Sequence, residues 1–92
     1  MPEVKDITVR KPTSEEVKTC SAWPVWTCEP KTFDYEYDQT ETCLILEGDV
    51  KITSSDGKQS THFKAGDYVV FPVGLKCVWH VQKPVRKHYN FS

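Results

Sequence analysis

Apolar and polar residues alternate with a period of two along much of the chain, the pattern of strands that bury one face. Phe33, Tyr35 and Tyr37 alternate with Asp34 and Glu36, and Val50–Ser54 alternates in the same way. Cys43-Leu44-Ile45-Leu46 is a continuous apolar run instead, which predicts a strand covered on both faces. The pattern predicts strands over Val4–Val9, Trp26–Cys28, Thr32–Tyr37, Thr42–Glu47, Val50–Ser54, Ser60–Lys64, Tyr68–Phe71, Lys76–Gln82 and Val85–Phe91. Turns punctuate them at Gly48-Asp49, Ser55-Asp56-Gly57-Lys58, Gly66-Asp67 and Pro72-Val73-Gly74. One helix is expected. Thr13-Ser14-Glu15-Glu16 fits a capping box and opens a short helix over Ser14–Cys20, before Trp23-Pro24 breaks the pattern. Eight or so short strands joined by tight turns predict an all-β fold. A closed barrel or jelly roll hides its strand edges, which a flat sheet of this size does not.

Composition narrows the picture. A chain of 92 residues makes one compact domain, residues 1–92. Four Phe, three Trp and four Tyr supply a core dense enough for so short a chain. The 12 basic and 13 acidic residues leave a net charge of −1, without the basic excess of a nucleic-acid binder. No apolar run reaches the roughly 18 residues of a membrane span. Met1-Pro2-Glu3-Val4-Lys5-Asp6 is charged from the start and lacks an apolar signal core, so a soluble, cytoplasmic protein is expected. Cys20, Cys28, Cys43 and Cys77 are spaced too widely for a CxxC metal knuckle and read as free, buried thiols.

The most informative stretch is Glu41-x6-Gly48 followed by Gly66-x5-Pro72-x-Gly74. Gly48 and Gly66 fall at tight turns where a positive φ is cheap only without a Cβ, and Pro72 removes a donor at a strand end. These elements resemble the two motifs of the cupin superfamily, with Leu46–Val50 and Ala65–Gly74 especially similar. Trp79-x-Val81 and Arg86-Lys87-x-Tyr89 resemble the small single-domain group related to the ureidoglycine aminohydrolase and ethanolamine-utilisation-Q cupins. Within that group the likeness is nearest to short plant members described as RmlC-like cupins. The resemblance covers about residues 23–91. It implies a jelly-roll β-barrel, often dimeric, with a pocket inside the barrel.

Cupins that hold a metal place an HxH pair just before the motif glutamate and a third histidine shortly after the PxG glycine. Here those positions hold Asp34-Tyr35-Glu36-Tyr37 and Cys77, so only Glu41 of the usual ligands remains. Tyrosine, with a phenol pKa of about 10, replaces imidazole poorly. The reading is that the usual metal site is absent and that no cofactor is needed. A zinc site from Glu41, Cys43 and Cys77 is the variant on unusual ligands.

Alternation places Glu41, Cys43 and Ile45 on one face, and the resemblance turns that face into the barrel. A partly desolvated carboxylate there suits a general acid or base, or else it only organises the barrel mouth. Tyr35, Tyr37, Cys43, Cys77 and Trp79 are the candidate pocket-lining residues, though aromatics and buried thiols also serve simply as core. His62, His80 and His88 are scattered, with His80 expected to face outward. Lys83, Arg86, Lys87 and His88 form a basic cluster that reads as a solvated strand face. Leu44 and Leu46 need cover, from Val4–Val9 or from a second subunit in a homodimer. Three functions stay open: a metal-independent enzyme using Glu41 on a small polar metabolite, a non-catalytic ligand-binding or dimeric structural module, and a metal-dependent cupin with atypical ligands.

Overall fold

The computed structural model describes all 92 residues. After a 3-10 turn at Val4–Asp6 come β1 (Thr8–Arg10), α1 (Ser14–Cys20), β2 (Val25–Cys28), β3 (Lys31–Glu36), β4 (Glu41–Thr53), β5 (Ser60–Lys64), β6 (Tyr68–Phe71) and β7 (Lys76–Phe91). Every strand pairing is antiparallel. The two long strands β4 and β7 pair with each other along their length, and each carries two shorter strands on its other edge. On β4, β6 pairs with the first part and β5 with the last. On β7, β3 pairs with the first part and β2 with the last. The result is a jelly-roll arrangement with one short helix.

The helix forms as its sequence directs. The Thr13 side chain accepts from the Glu16 backbone N–H, and the Glu16 side chain accepts in return from the Thr13 N–H. Arg10 holds the same Glu16 carboxylate through two nitrogens, at 2.8 and 2.7 Å, and so ties β1 to the first turn of α1. Arg10 and the local backbone N–H draw the Glu16 carboxyl down to about 2, the guanidinium contributing most.

Three expectations are corrected. Val4–Val9 is not one strand: a 3-10 turn, with Val4 and Ile7 buried in the main core, precedes a shorter β1 that pairs with β6. The segments Thr42–Glu47 and Val50–Ser54 are one strand, and so are Lys76–Gln82 and Val85–Phe91. Gly48-Asp49 is therefore not a turn but part of an irregular stretch within β4, with register shifts against β7 between Ile45 and Val50. The irregularity changes the parity of the buried face. Glu41, Cys43 and Ile45 point inward before it, and Val50 and Ile52 after it. α1 packs against β4. Leu44 is buried and Leu46 half-buried.

The barrel interior is filled at its centre. Val50, Ile52, Phe63, Val69 and Phe71 have no exposed surface, and Trp79 is 2% exposed. Phe63 and Phe71 meet Trp79 with ring centroids 5.5 and 5.6 Å apart, and Tyr37 stacks on Phe71 at 4.7 Å. Burying one such apolar side chain contributes about 1.5–3 kcal/mol. Open space is left at one end, where β2, β3, the start of β4 and the end of β7 meet.

Candidate functional site

That space is a cavity of about 220 Å³ lined by nine residues, seven of them hydrophobic. β2 supplies Trp26. β3 and the residue after it supply Phe33, Tyr35 and Tyr37. The start of β4 gives Glu41, and β7 gives Trp79, Lys87, Tyr89 and Phe91. Tyr35 and Phe91 are each 39% exposed, so they form the rim. Tyr37, Glu41, Trp79 and Lys87 are buried and make the floor.

The floor carries an ion pair. Lys87 Nζ donates to Glu41 Oε2 at 2.7 Å, and both side chains are only 5% exposed. Cys43 Sγ donates to the same oxygen at 3.2 Å. The ammonium also lies 4.8 Å from the ring centroids of both Trp26 and Trp79, within cation–π range. Burial works against the Lys87 charge, but the neighbouring Cys43 sulfur and the Glu41 carboxylate outweigh it and hold the ammonium above its ordinary pKa. Burial, with Glu41 beside it, raises the Tyr37 phenol, so Tyr37 stays neutral. Its hydroxyl accepts from Trp79 Nε1 at 3.1 Å.

Of the residues singled out from the sequence, Glu41, Tyr35, Tyr37 and Trp79 come together at the cavity. Cys43 and Cys77 do not line it. Both are buried in the core cluster behind its wall. Burial pushes the Cys77 thiol up to about 11 and raises Cys43 as well, which suits packing rather than nucleophilic attack. Cys77 in the native protein is expected to be alkylated by iodoacetamide at pH 8 roughly two orders of magnitude more slowly than in denaturant. Mass-mapped labelling that proceeds equally fast in both states would show the thiol to be open.

Lys87 was placed by its neighbours in a solvated basic cluster, and the structure corrects this. Lys87 is 4% exposed and points inward, while Lys83 and Arg86 are exposed. The signal was present in the alternation, because Val85, Lys87 and Tyr89 share one parity with Cys77, Trp79 and Val81. Trp26 and Phe33 also belong to the wall. The histidines stand apart from it. His80 meets Thr53 Oγ1 at 2.9 Å, His62 pairs with Asp49, and His88 donates from Nδ1 to the Trp23 carbonyl at 2.9 Å.

A cupin-type metal does not fit these residues. Glu41, the one ligand type retained, already has Lys87 as its cation. No three His, Cys, Asp or Glu side chains converge anywhere in the chain. A divalent ion beside Glu41 would also have to share the floor with the Lys87 ammonium, a repulsion made stronger by burial.

Comparison with known proteins agrees with the architecture. The family profile of EutQ-like cupin domains matches residues 15–89. A crystal structure of a DUF861 family protein from Thermotoga maritima is 46% identical, covers 95% of this chain and 100% of its own, and superposes with a TM-score of 0.88. An ethanolamine utilisation protein Q from Salmonella typhimurium is 20% identical, covers 92% of this chain and 68% of its own, and has a TM-score of 0.63. The Clostridium difficile EutQ protein is 19% identical over 73% of this chain and 52% of its own, with a TM-score of 0.65. The two EutQ likenesses extend to the fold alone. No curated protein matches. With its profile match spanning most of the chain and the Thermotoga structure so similar over nearly all of it, this chain belongs to the EutQ-like cupin family.

Proposed function

We propose that the cavity takes a small, flat metabolite with a polar head, and that Glu41 moves a proton on it without a metal. The observation that carries this reading is the buried Glu41–Lys87 pair on the floor of an aromatic-walled opening. Both hydrogen bonds at Glu41 fall on Oε2. The one sealed, unpartnered side-chain polar atom lies elsewhere, at Gln59 Oε1. Glu41 Oε1 therefore is neither hydrogen-bonded nor sealed, and on a residue that lines the cavity it is the oxygen available as a base toward a bound molecule. Lys87 supplies the fixed positive charge that a metal supplies in other cupins, and it steadies negative charge developing on the ligand. Isomerisation, elimination and hydrolysis are the reaction classes such a site serves.

The test is a thermal-shift screen of small metabolites, followed by turnover of each hit. Glu41→Gln is expected to lower turnover by about 10²-fold or more. Turnover that survives the substitution removes Glu41 from the chemistry. The second reading, a binding module, is favoured by the same ion pair, because a carboxylate held by an ammonium also serves to orient a ligand. Hits that bind and are never converted would favour it.

A further inference from the structure

The reading of the cavity as a ligand site leaves the ligand's chemistry open, and the hydrogen-bonding capacity of the floor narrows it. An ammonium has three N–H donors. On Lys87 one of them goes to Glu41 Oε2, and the ammonium otherwise faces the indole rings of Trp26 and Trp79. At least one N–H is therefore without an oxygen or nitrogen acceptor, on a buried residue that lines the cavity. Beside it, Glu41 Oε1 is an acceptor without a donor. Because Oε1 and Oε2 share one carbon and Lys87 sits on Oε2, the free acceptor and the free donor are neighbours. A buried polar group left unmatched is costly, so the floor favours a molecule that supplies both partners at once.

The matching edge has a donor next to an acceptor. An open-chain secondary amide is trans and places its N–H and C=O on opposite edges. A ring forces the amide cis and puts both on the same edge, as a primary amide also does, and the ring adds the flat face that the aromatic wall takes. A carboxylate offers acceptors only and is repelled by Glu41. A sugar can stack its C–H face on an aromatic ring, but its circle of hydroxyls brings more polar groups than this mostly hydrophobic wall can match. At about 220 Å³ the cavity is also smaller than the roughly 300 Å³ at which pockets for drug-sized ligands begin, which restricts the occupant to about one ring.

We propose that the cavity recognises small cyclic amides or imides, with the ring N–H donating to Glu41 Oε1, the adjacent C=O accepting from Lys87 Nζ, and the ring held among Trp26, Tyr35 and Tyr89. This names the ligand class for the site described above and rests on its being a ligand site.

The probes are uracil, 1,3-dimethyluracil and toluene, titrated into the native protein. Calorimetry measures affinity, and the indole N–H signals of Trp26 and Trp79 in a ¹H–¹⁵N spectrum locate binding. Uracil is expected to bind and to shift both signals. Its dimethyl derivative keeps the ring and carbonyls but has no N–H, and is expected to bind at least about tenfold more weakly, the equivalent of 1.4 kcal/mol. Lys87→Met should weaken uracil by a similar factor while a folded spectrum is retained. The comparison of the two pyrimidines needs only the native protein and stands if that variant does not fold. Equal affinity for the two overturns the proposal. Toluene moving the Trp26 and Trp79 signals while neither pyrimidine does overturns it and leaves the ligand pocket standing. Silence of all three probes overturns both.

Discussion

Lys87→Met is expected to destabilise the fold by about 3–5 kcal/mol, because it strands the Glu41 carboxylate in a site that excludes most water. The partner substitution, Glu41→Leu, should be costly for the same reason, as it strands the ammonium. The double variant is the informative one. With both charges removed and apolar atoms of similar size in their place, most of the loss should be recovered, since a buried pair contributes little beyond a well-packed apolar replacement. Urea unfolding of the native protein, both single variants and the double variant measures the coupling directly. A loss under about 1 kcal/mol for Lys87→Met would mean that the pair behaves as a surface ion pair, and the picture of a dry floor would fall.

The pair also sets an alkaline limit. The Lys87 pKa is raised in the fold above its ordinary value of 10.5. Its contribution is therefore complete below that value and is lost as the pH rises through the higher folded one. Stability measured from pH 7 upward should show the native protein falling below the double variant, toward Lys87→Met, only in strong alkali.

Gly48→Ala is the second large effect expected. Gly48 has a φ of 119°, a conformation costly for any residue with a Cβ. Space is lacking as well: an added Cβ would lie 2.8 Å from Val85 Cγ2 and 2.9 Å from the Pro84 carbonyl oxygen. The neighbours belong to β7, so relief requires β4 and β7 to separate where their register is already irregular. Strain of this kind costs about 1–3 kcal/mol from the backbone, and overpacking adds about 1–3 more. At about 4–8 °C per kcal/mol for a domain of this size, the melting temperature should fall by at least about 8 °C. Gly57→Ala is the comparison. Its φ of 75° is also positive, but nothing lies within 4 Å of an added Cβ, so only the backbone cost applies. Equal losses for the two would show that crowding at Gly48 is unimportant.

Local chemistry was readable where the cause of a structure lies in adjacent residues. The capping box at Thr13 and Glu16, the hairpin at Ser55–Lys58 and the alternation of Phe33, Tyr35 and Tyr37 all follow from short-range sterics and hydrogen bonding. Strand continuity was not readable in the same way. Gly48-Asp49 carries the residues of a turn, and whether the chain reverses there or only bends depends on β7 pairing across both halves of β4. Val4–Val9 has the composition of a strand, but packing Val4 and Ile7 into the core drew its first half into a 3-10 turn.

The candidate site divides along the same line. Glu41 was legible because the motif and the strand parity agree on it. Lys87 was not, because its neighbours Lys83, Arg86 and His88 made a surface cluster of it, and a lysine is ordinarily among the least buried residues. What the sequence alone determined is which side chains are available to each face of each strand: period-two alternation is a property of the backbone and holds before any strand has a partner. What only the tertiary structure decided is which of those faces meet. Glu41 and Lys87 are 46 positions apart, and only the β4–β7 ladder, packed against the indoles of Trp26 and Trp79, converts two ordinary charged residues into one buried pair. The attraction that makes the pair stable exists only once the water between them has been excluded.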